Sequence, residues 1–350
     1  MHGIPQLSLK GKRMSKTVLL SGCGGFIGSH CLSHILVNTD WYVIGFDSWH
    51  HKGISERITE NKHYQDNIER VRIYTHDLTA PISNILADKI GHIDYIINFA
   101  SASHVDRSIT DPIPFVRNNV DIALNMLEYA RVARPEKFIQ IGTDEVYGPT
   151  DGVHNHPEWS PILPSNPYSA SKASQDAIAV SYWRTYGVPL ILRNIMNTFG
   201  EMQDAEKFIP MVIRKILIGE TVNIHSDQTC KVSGARFWLH ARNTSDALLF
   251  MLKNIPAPLY PQSNRPERFN IVGGKQISNL DMALLISKIM GKGLGYQMVD
   301  ANTSRPGHDA FYGLSGEKLS NYGYEFPKNL EESLEKTIKW TMENPRWVGL

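Results

Sequence analysis

Three glycines at positions 22, 25 and 28 constrain this chain more than any other feature of its sequence. They lie in the segment SGCGGFIG, residues 21–28, directly after the apolar run TVLL and directly before a helix-forming stretch. Glycine lets the backbone bend tightly and approach a pyrophosphate, and the free N–H groups of the following helix attract anions. The segment therefore predicts a strand, a phosphate-binding turn and a helix in succession.

Strand-like and helical segments alternate over the first half of the chain. Short runs rich in β-branched and aromatic residues predict strands, and the amphipathic stretches between them predict helices. Such alternation is typical of an α/β protein whose helices cover both faces of a parallel sheet. The predicted strands are residues 17–21, 41–47, 71–75, 93–99, 137–142 and 189–193, and the predicted helices are residues 26–37, 113–132 and 169–186.

The alternation weakens after residue 193. Further helices are predicted at residues 204–219, 246–254 and 279–290, and a strand at residues 269–272. We expect a Rossmann-type doubly wound parallel sheet over residues 16–193, to which the chain returns around 236–273. A smaller mixed α/β substrate-binding domain is expected over residues 194–350, and residues 1–15 are expected to form a flexible extension.

The composition argues against several classes of protein. The formal net charge is +1 and no basic stripe is present, so no nucleic-acid partner is expected. No apolar run approaches the roughly 20 residues of a membrane span, and no residue spacing suits a metal site such as zinc. The three cysteines, Cys23, Cys31 and Cys230, form no disulfide framework, which favours the reducing cytoplasm.

An acidic residue follows the second predicted strand, where a dinucleotide site requires one. Asp47 lies close to the spacing of about 20 residues after the glycine turn. Its carboxylate would accept the adenosine ribose hydroxyls and repel a 2′-phosphate, which favours NAD over NADP. The alternative is a plain tight turn followed by a solvated aspartate.

A tyrosine and a lysine are spaced to act together. Tyr168 and Lys172 stand four positions apart in a predicted helix, so both side chains lie on one face. A lysine ammonium and a nicotinamide cation would both lower the pKa of the tyrosine. Tyr168 is therefore predicted to take a proton from a substrate hydroxyl during hydride transfer. The alternative is an ordinary surface turn of a helix.

Two consecutive carboxyl groups follow a predicted strand. Thr143, Asp144 and Glu145 come directly after residues 137–142, and ligands of parallel sheets bind at the carboxyl ends of the strands. A redox step alone does not need two carboxyl groups, whereas elimination of water needs one acid and one base. The alternative is that Asp144 caps a turn and that Glu145 faces solvent.

These segments together resemble the dTDP-glucose 4,6-dehydratase family of the extended short-chain dehydrogenase/reductases. The resemblance runs from Thr17 to Trp347. It is carried by the glycine turn and by residues 103–108 (SHVDRS), 143–148 (TDEVYG), 168–174 (YSASKAS), 206–210 (EKFIP), 305–309 (RPGHD) and 336–340 (KTIKW).

The resemblance implies a three-step reaction on a nucleoside-diphosphate hexose. Tyr168 and Lys172, with Thr143, would support oxidation of the sugar at C4. Glu145 would remove the C5 proton, and protonated Asp144 would donate to the departing C6 hydroxyl. Hydride would then return from NADH to C6, giving a 4-keto-6-deoxy sugar.

It also implies which residues bind the ligands. Cofactor-binding positions are Gly22, Gly25, Phe26, Ile27, Gly28, Asp47, Asp77, Leu78, Phe99, Ala100, Ser101, Tyr168 and Lys172. Substrate-binding positions are Ser103, Asn197, Glu206, Lys207, Arg236, Asn270, Arg305 and His308. Arginine and lysine suit a diphosphate by charge.

Some positions depart from the family pattern. Ala102 stands where the family has glutamate, residues 236–240 read RFWLH where it has RDWLY, and Ala310 and Phe311 replace basic residues. Residues 47–65 are also unusually rich in histidine. The reaction centre is intact, so these departures concern the choice among dTDP-glucose, UDP-glucose and an N-acetylated sugar.

Two other functions remain open. A nucleotide-sugar 4-epimerase would use the same NAD, Tyr168 and Lys172 but would not need the acid and base at 144 and 145. A non-catalytic protein could retain the same fold.

The resemblance further implies a homodimer paired through the helices that follow Asp111 and Tyr168.

Overall fold

The computed structural model describes residues 15–50, 52–300 and 311–350. Residues 1–14, most of the predicted extension, lie outside this range. The described strands are β1 (Thr17–Ser21), β2 (Tyr42–Asp47), β3 (Val71–Thr75), β4 (Tyr95–Asn98), β5 (Lys137–Thr143), β6 (Leu190–Ile195), β7 (Thr198–Phe199), β8 (Val222–Ser226), β9 (Ala235–Phe237), β10 (Leu239–His240), β11 (Glu267–Ile271), β12 (Gln276–Ser278) and β13 (Tyr296–Asp300).

Helices connect most of these strands. They are α1 (Phe26–Asn38), α2 (Glu56–Thr59), α3 (Lys62–Gln65), α4 (Asn84–Ile90), α5 (Val105–Thr110), α6 (Pro112–Ala133), α7 (Pro167–Tyr186), α8 (Phe208–Ile218), α9 (Ala241–Asn254), α10 (Asn279–Met290), α11 (Glu317–Asn321) and α12 (Leu330–Glu343). Within the described residues, none of them combines the length and the apolar character that crossing a membrane requires.

Seven strands form one sheet in the order β11-β6-β5-β4-β1-β2-β3, and every pair in it is parallel. The chain winds outward from β1 in one direction and then, from β4, in the other. This reversal creates a crevice at the carboxyl ends of β1 and β4, where open α/β sheets bind their ligands. The predicted Rossmann-type fold class is confirmed.

The two faces of the sheet build two separate cores, because alternate residues of a strand point to opposite sides. Val18 and Leu20 of β1 belong to the core that α1 and α9 cover. Leu19, between them, belongs to the core that α6 and α7 cover. Helices therefore bury both faces, which explains why these strands are apolar throughout rather than alternating.

The later part of the chain extends the main sheet and also builds a smaller unit. Strand β11 pairs with β6 and extends the main sheet, and α9 packs against α1. The remaining segments build a smaller unit, in which α8, α10 and α12 share a third core with β8. Its strands form three short pairs: β10 with β7, β12 with β9, and β13 with β8.

Two helix predictions need correction at their starts. The helix predicted for residues 204–219 begins only at Phe208, because Asp204 and Glu206 are engaged in ion pairs and Lys207 is extended. The helix predicted for residues 246–254 begins earlier, at Ala241. There the His240 side chain accepts a hydrogen bond from the Arg242 N–H and caps the helix.

Candidate active site

The turn after β1 has a conformation and a packing that require glycine. Gly22 adopts a φ of 67°, a left-handed conformation, and its N–H donates to the Phe46 carbonyl at 2.7 Å. A Cβ atom on Gly28 would lie 2.1 Å from the Gly22 carbonyl oxygen. Only glycine at position 28 therefore allows α1 to begin this close to the turn.

The N-terminus of α1 is suited to an anion. Among the described residues, no side chain caps this helix at Gly25, and its first turn, FIGS, contains no acidic residue. Unsatisfied N–H groups and the positive end of the helix dipole therefore favour a pyrophosphate here. Phe26 and Ile27 in this turn are only partly buried, which leaves surface for a ligand.

Asp47 ends β2 beside the glycine turn. Its carboxylate accepts hydrogen bonds from the N–H groups of Gly24 and Trp49, both at 2.9 Å. These bonds fix the carboxylate, which is buried. Each carboxylate oxygen keeps a second lone pair, so the predicted bonds to ribose hydroxyls remain geometrically compatible with this arrangement.

The other predicted cofactor residues follow β3 and β4. Asp77 is exposed, and a hydrogen bond from the Thr79 N–H lowers the pKa of its carboxyl. Its neighbour Leu78 is buried in the core beneath α6. Phe99, Ala100 and Ser101 are partly buried beside the turn, and the Ala100 N–H donates to Ser21 Oγ at 3.1 Å.

A chain of buried side chains connects the glycine turn with α7. Ser21 Oγ donates to Asn98 Oδ1 at 2.5 Å, and Asn98 Nδ2 donates to Gln140 Oε1 at 2.9 Å. Gln140 Nε2 donates to Gln175 Oε1 at 3.3 Å. All four side chains are fully buried, so the chain fixes β1, β4 and β5 relative to α7.

Lys172 lies at the end of this chain. Its Nζ donates to Gln175 Oε1 at 2.6 Å, while Gln175 Nε2 donates to the Asn119 carbonyl at 2.7 Å. Burial lowers the pKa of Lys172 to about 8. The lysine is thus still mainly cationic at neutral pH, and Gln175 holds its ammonium group in place.

Thr143 and Asp144 lie at the carboxyl end of β5. Thr143 Oγ1 donates to Asp144 Oδ1 at 2.9 Å, and Asn194 Nδ2 donates to the Thr143 carbonyl at 2.8 Å. Both residues are buried, and burial raises the pKa of Asp144 to about 6. A carboxyl group whose pKa lies this close to neutrality keeps a protonated fraction near pH 6 and can act as a general acid.

Glu145 has different surroundings from Asp144. It is partly exposed, and its Oε2 accepts a hydrogen bond from Asn166 Nδ2 at 3.2 Å. Asn166 is the residue that caps α7, the helix that carries Tyr168 and Lys172. The two consecutive carboxyl groups therefore differ both in burial and in hydrogen-bond partners.

The surroundings of Tyr168 differ from the prediction made for its pKa. The prediction that the Lys172 ammonium lowers this pKa is wrong for the protein without a bound cofactor. Burial raises the pKa of Tyr168 far above its usual value, the charges of Glu145 and Asp144 add to this, and only a hydrogen bond with Thr143 opposes it. The Lys172 ammonium is directed to Gln175 instead.

The predicted substrate residues differ in how far they are exposed. Ser103, Asn197 and Glu206 are exposed. Glu206 Oε2 forms an ion pair with Lys52 Nζ at 2.9 Å, and Glu206 Oε1 lies 3.2 Å from His104 Nε2. Its neighbour Lys207 is partly buried in the loop before α8. Arg305 and His308 lie outside the described residues.

Arg236 and Asn270 are buried rather than exposed. The Arg236 guanidinium lies 4.7 Å from the centre of the Tyr312 ring and close enough to Asp144 to oppose the rise in the pKa of that carboxyl. Asn270 Nδ2 donates to the carbonyls of His156 and Ser315. Its Oδ1 has no partner among the described residues, so this oxygen is the part of Asn270 that a ligand could engage.

The departures from the family pattern have visible packing consequences. The Ala102 backbone is held at both its N–H and its carbonyl by the Asn119 side chain. Phe237 packs against a small apolar cluster that includes Val146 and Ala173, the neighbours of Glu145 and Lys172. His240 Nε2 lies 3.0 Å from Glu201 Oε2. Ala310 lies outside the described residues.

The sequence reading missed several polar residues at this site. They are Asn119, Gln140, Asn166 and Gln175. Asn166 carried a recognisable signal, because asparagine before proline is typical of a helix N-cap followed by proline at the first helical position. The other three carry no local signal, since buried amides become meaningful only through partners distant in sequence.

Comparison with known proteins places the chain among nucleotide-sugar enzymes. The family model described as GDP-mannose 4,6 dehydratase matches residues 19–337. The dTDP-glucose 4,6-dehydratase of Salmonella typhimurium is 32% identical, and the alignment covers 95% of this chain and 94% of that protein. The chain belongs to the nucleotide-sugar 4,6-dehydratase family.

Membership of this family makes the protein an enzyme of the dehydratase type, a lyase.

Among solved structures, DesIV from Streptomyces venezuelae, a dTDP-glucose 4,6-dehydratase with NAD and TYD bound, has a TM-score of 0.83. It is 29% identical, with 95% of this chain and 99% of that chain covered. The UDP-N-acetylglucosamine 4-epimerase of Methanobrevibacter ruminantium has a TM-score of 0.79 at 25% identity, covering 95% and 100%.

Proposed function

We propose that this protein converts a nucleoside-diphosphate hexose, dTDP-glucose or UDP-glucose, into its 4-keto-6-deoxy derivative with loss of water. One observation carries this proposal. Asp144, with its pKa raised to about 6, and the partly exposed Glu145 follow β5 directly, beside Tyr168. An acid and a base that differ in environment are what elimination of water needs.

The residues fit NAD as the cofactor. The glycine turn is packed too closely to admit a Cβ atom at position 28, the α1 N-terminus suits a pyrophosphate, and Asp47 disfavours a 2′-phosphate. Related dehydratase structures are solved with NAD bound. When bound, NAD supplies the acceptor for the hydride of C4 and later the donor of that hydride.

Each residue then has a defined task. Tyr168 takes the proton of the C4 hydroxyl, and a nicotinamide cation bound beside it would add positive charge that opposes the raised pKa of this tyrosine. Glu145 removes the C5 proton, made acidic by the C4 ketone. Asp144 protonates the C6 hydroxyl as it departs, and Arg236 lies beside this acid, where it can also meet a diphosphate.

The proposal also includes the roles of the two parts of the chain, the homodimer and the cytoplasmic location. Residues 16–193 with the returning β11 hold the cofactor, and the later unit holds the sugar nucleotide.

The protein is a homodimer, supported by the exposed Ile113 and Val132 of α6 and Tyr186 of α7. It works in the cytoplasm, consistent with three unpaired cysteines within the described part of the chain. Light scattering that gives the mass of one chain would contradict the dimer.

The function is tested by product analysis. The purified protein is incubated separately with dTDP-glucose, UDP-glucose and UDP-N-acetylglucosamine, and each mixture is followed by mass spectrometry. Loss of one water from a substrate supports the proposal and identifies nucleotide and sugar together. Unchanged mass with inversion at C4, seen by NMR, would instead establish a 4-epimerase, which shares the tyrosine, the lysine and the glycine turn.

A further inference from the structure

Asn166 makes contacts in two directions at the start of α7. Its Oδ1 accepts a hydrogen bond from the Ser169 N–H at 2.9 Å, and its own N–H donates to Ser169 Oγ at 3.1 Å. Its Nδ2 donates to Glu145 Oε2 at 3.2 Å. The side chain is buried, so both ends of the amide are held in one orientation.

This arrangement connects two parts of the reaction centre. The cap fixes where α7 begins, and therefore where Tyr168 and Lys172 lie. The amide donor fixes Glu145, which stands on the short helical turn after β5. A single residue thus sets the distance between the groups that oxidise C4 and the carboxylate that faces C5.

We propose that Asn166 is a positioning residue for the elimination step, holding the Glu145 side chain directed at the C5 proton. This inference rests on the proposed dehydratase function. The amide hydrogen bond restricts the Glu145 side chain to one rotamer, and a base acts efficiently only when it is held within reach of the proton. This effect acts on proton abstraction, whereas hydride transfer from C4 does not use Glu145.

The step that Asn166 supports is balanced without any redox change. The C5–H bond breaks, its proton goes to Glu145, and its electron pair forms the C5–C6 double bond. The C6–O bond breaks at the same time, and the hydroxyl leaves as water with the proton of Asp144. Asn166 touches none of these atoms and acts only through Glu145.

Two substitutions separate the two contacts. Asn166→Ser keeps an oxygen that can cap α7 but removes the donor to Glu145. Asn166→Asp also keeps the cap and places a negative oxygen beside Glu145. The matched control is Asn329→Ser at the start of α12, where the Asn329 side chain accepts from the Glu332 N–H in the same way.

The readout is a single turnover with the substrate found by product analysis. NADH fluorescence reports C4 oxidation, and mass spectrometry reports water loss. We expect oxidation within about twofold of the parent, and water loss slower by roughly tenfold or more in Asn166→Ser and further in Asn166→Asp.

Other outcomes overturn the inference. Water loss at the parent rate in Asn166→Ser shows that the amide donor is not used. Equal loss of oxidation and of water elimination shows that Asn166 only caps α7. A parent protein that dehydrates none of the substrates refutes the dehydratase function itself, and this result is recognisable before any variant is made.

Discussion

At the reaction centre, two neighbouring carboxyl groups have different surroundings. Asp144 is buried and accepts a hydroxyl hydrogen bond from Thr143, whereas Glu145 is partly exposed and accepts an amide hydrogen bond from Asn166. Burial favours the neutral form of Asp144, and the amide hydrogen bond holds the Glu145 side chain in place. Because the residues are adjacent in sequence, this difference arises entirely from the fold around them.

The pH dependence of water loss follows from Asp144. Its pKa is raised to about 6, so the acid form needed to protonate the leaving hydroxyl predominates below that pH and is lost as the pH rises through it. We expect single-turnover water loss to fall about tenfold per pH unit above the pKa. Rates that stay constant between pH 5 and 8 would exclude Asp144 as the acid.

Substitution distinguishes the acid from the oxidising pair. Asp144→Asn should slow water loss by roughly 10² to 10⁴-fold while NADH still forms, because an amide cannot transfer a proton. Tyr168→Phe serves as the reference, since it should abolish NADH formation as well. An Asp144→Asn variant that dehydrates at the parent rate would show that another group protonates the leaving hydroxyl.

The sequence predicts the residues of this site that form contiguous motifs, and it misses those that act through distant partners. Thr143, Asp144 and Glu145 are recognisable because they follow a strand together. Gln175 bonds Lys172 three positions away, but its role also depends on Gln140, which lies in another strand. Such long-range amide contacts leave no periodic pattern in the sequence.

The glycine turn and α1 operate as one element. Gly28→Ala would place a Cβ atom 2.1 Å from the Gly22 carbonyl oxygen, which is backbone and cannot rotate away. We expect α1 to shift from the turn, at a cost of about 1–3 kcal/mol in the free energy of unfolding. Retention of NAD through gel filtration should fall in parallel, since the helix N-terminus leaves its position.

The matched control for this substitution is Gly293→Ala. Among the described residues, no atom lies within 4 Å of a Cβ built at Gly293, so stability and bound NAD should be unchanged. Equal NAD retention in the parent and in Gly28→Ala would mean that the close approach of α1 to the turn does not serve the cofactor.

Element boundaries were predictable where local chemistry sets them. α10 lies at residues 279–290 as predicted, because Ser278 caps its start and Gly291 ends it. The start of α8 was wrong because Asp204 and Glu206 form ion pairs with Arg57 and Lys52, which are remote in sequence. Tertiary contacts of this kind override a local helical preference.

At the scale of the whole molecule, the returning strand β11 connects the later part of the chain to the main sheet. Its Arg268 forms a buried ion pair with Asp176 of α7 at 3.0 Å, and both residues are almost fully buried. The pKa of Asp176 is nevertheless raised, because burial outweighs the attraction of Arg268 and Lys172. The pair therefore adds little net stability but is costly to break on one side.

Removing one partner should unfold the protein more easily. Arg268→Met leaves the Asp176 charge buried without its partner, and we expect a loss of about 3–5 kcal/mol in the free energy of unfolding, measured with urea. The double variant Arg268→Met with Asp176→Leu should recover most of this loss. Lys275→Met, which breaks an exposed pair with Glu331, should cost less than about 1 kcal/mol. If Arg268→Met costs no more than Lys275→Met, the pair does not anchor β11 to α7.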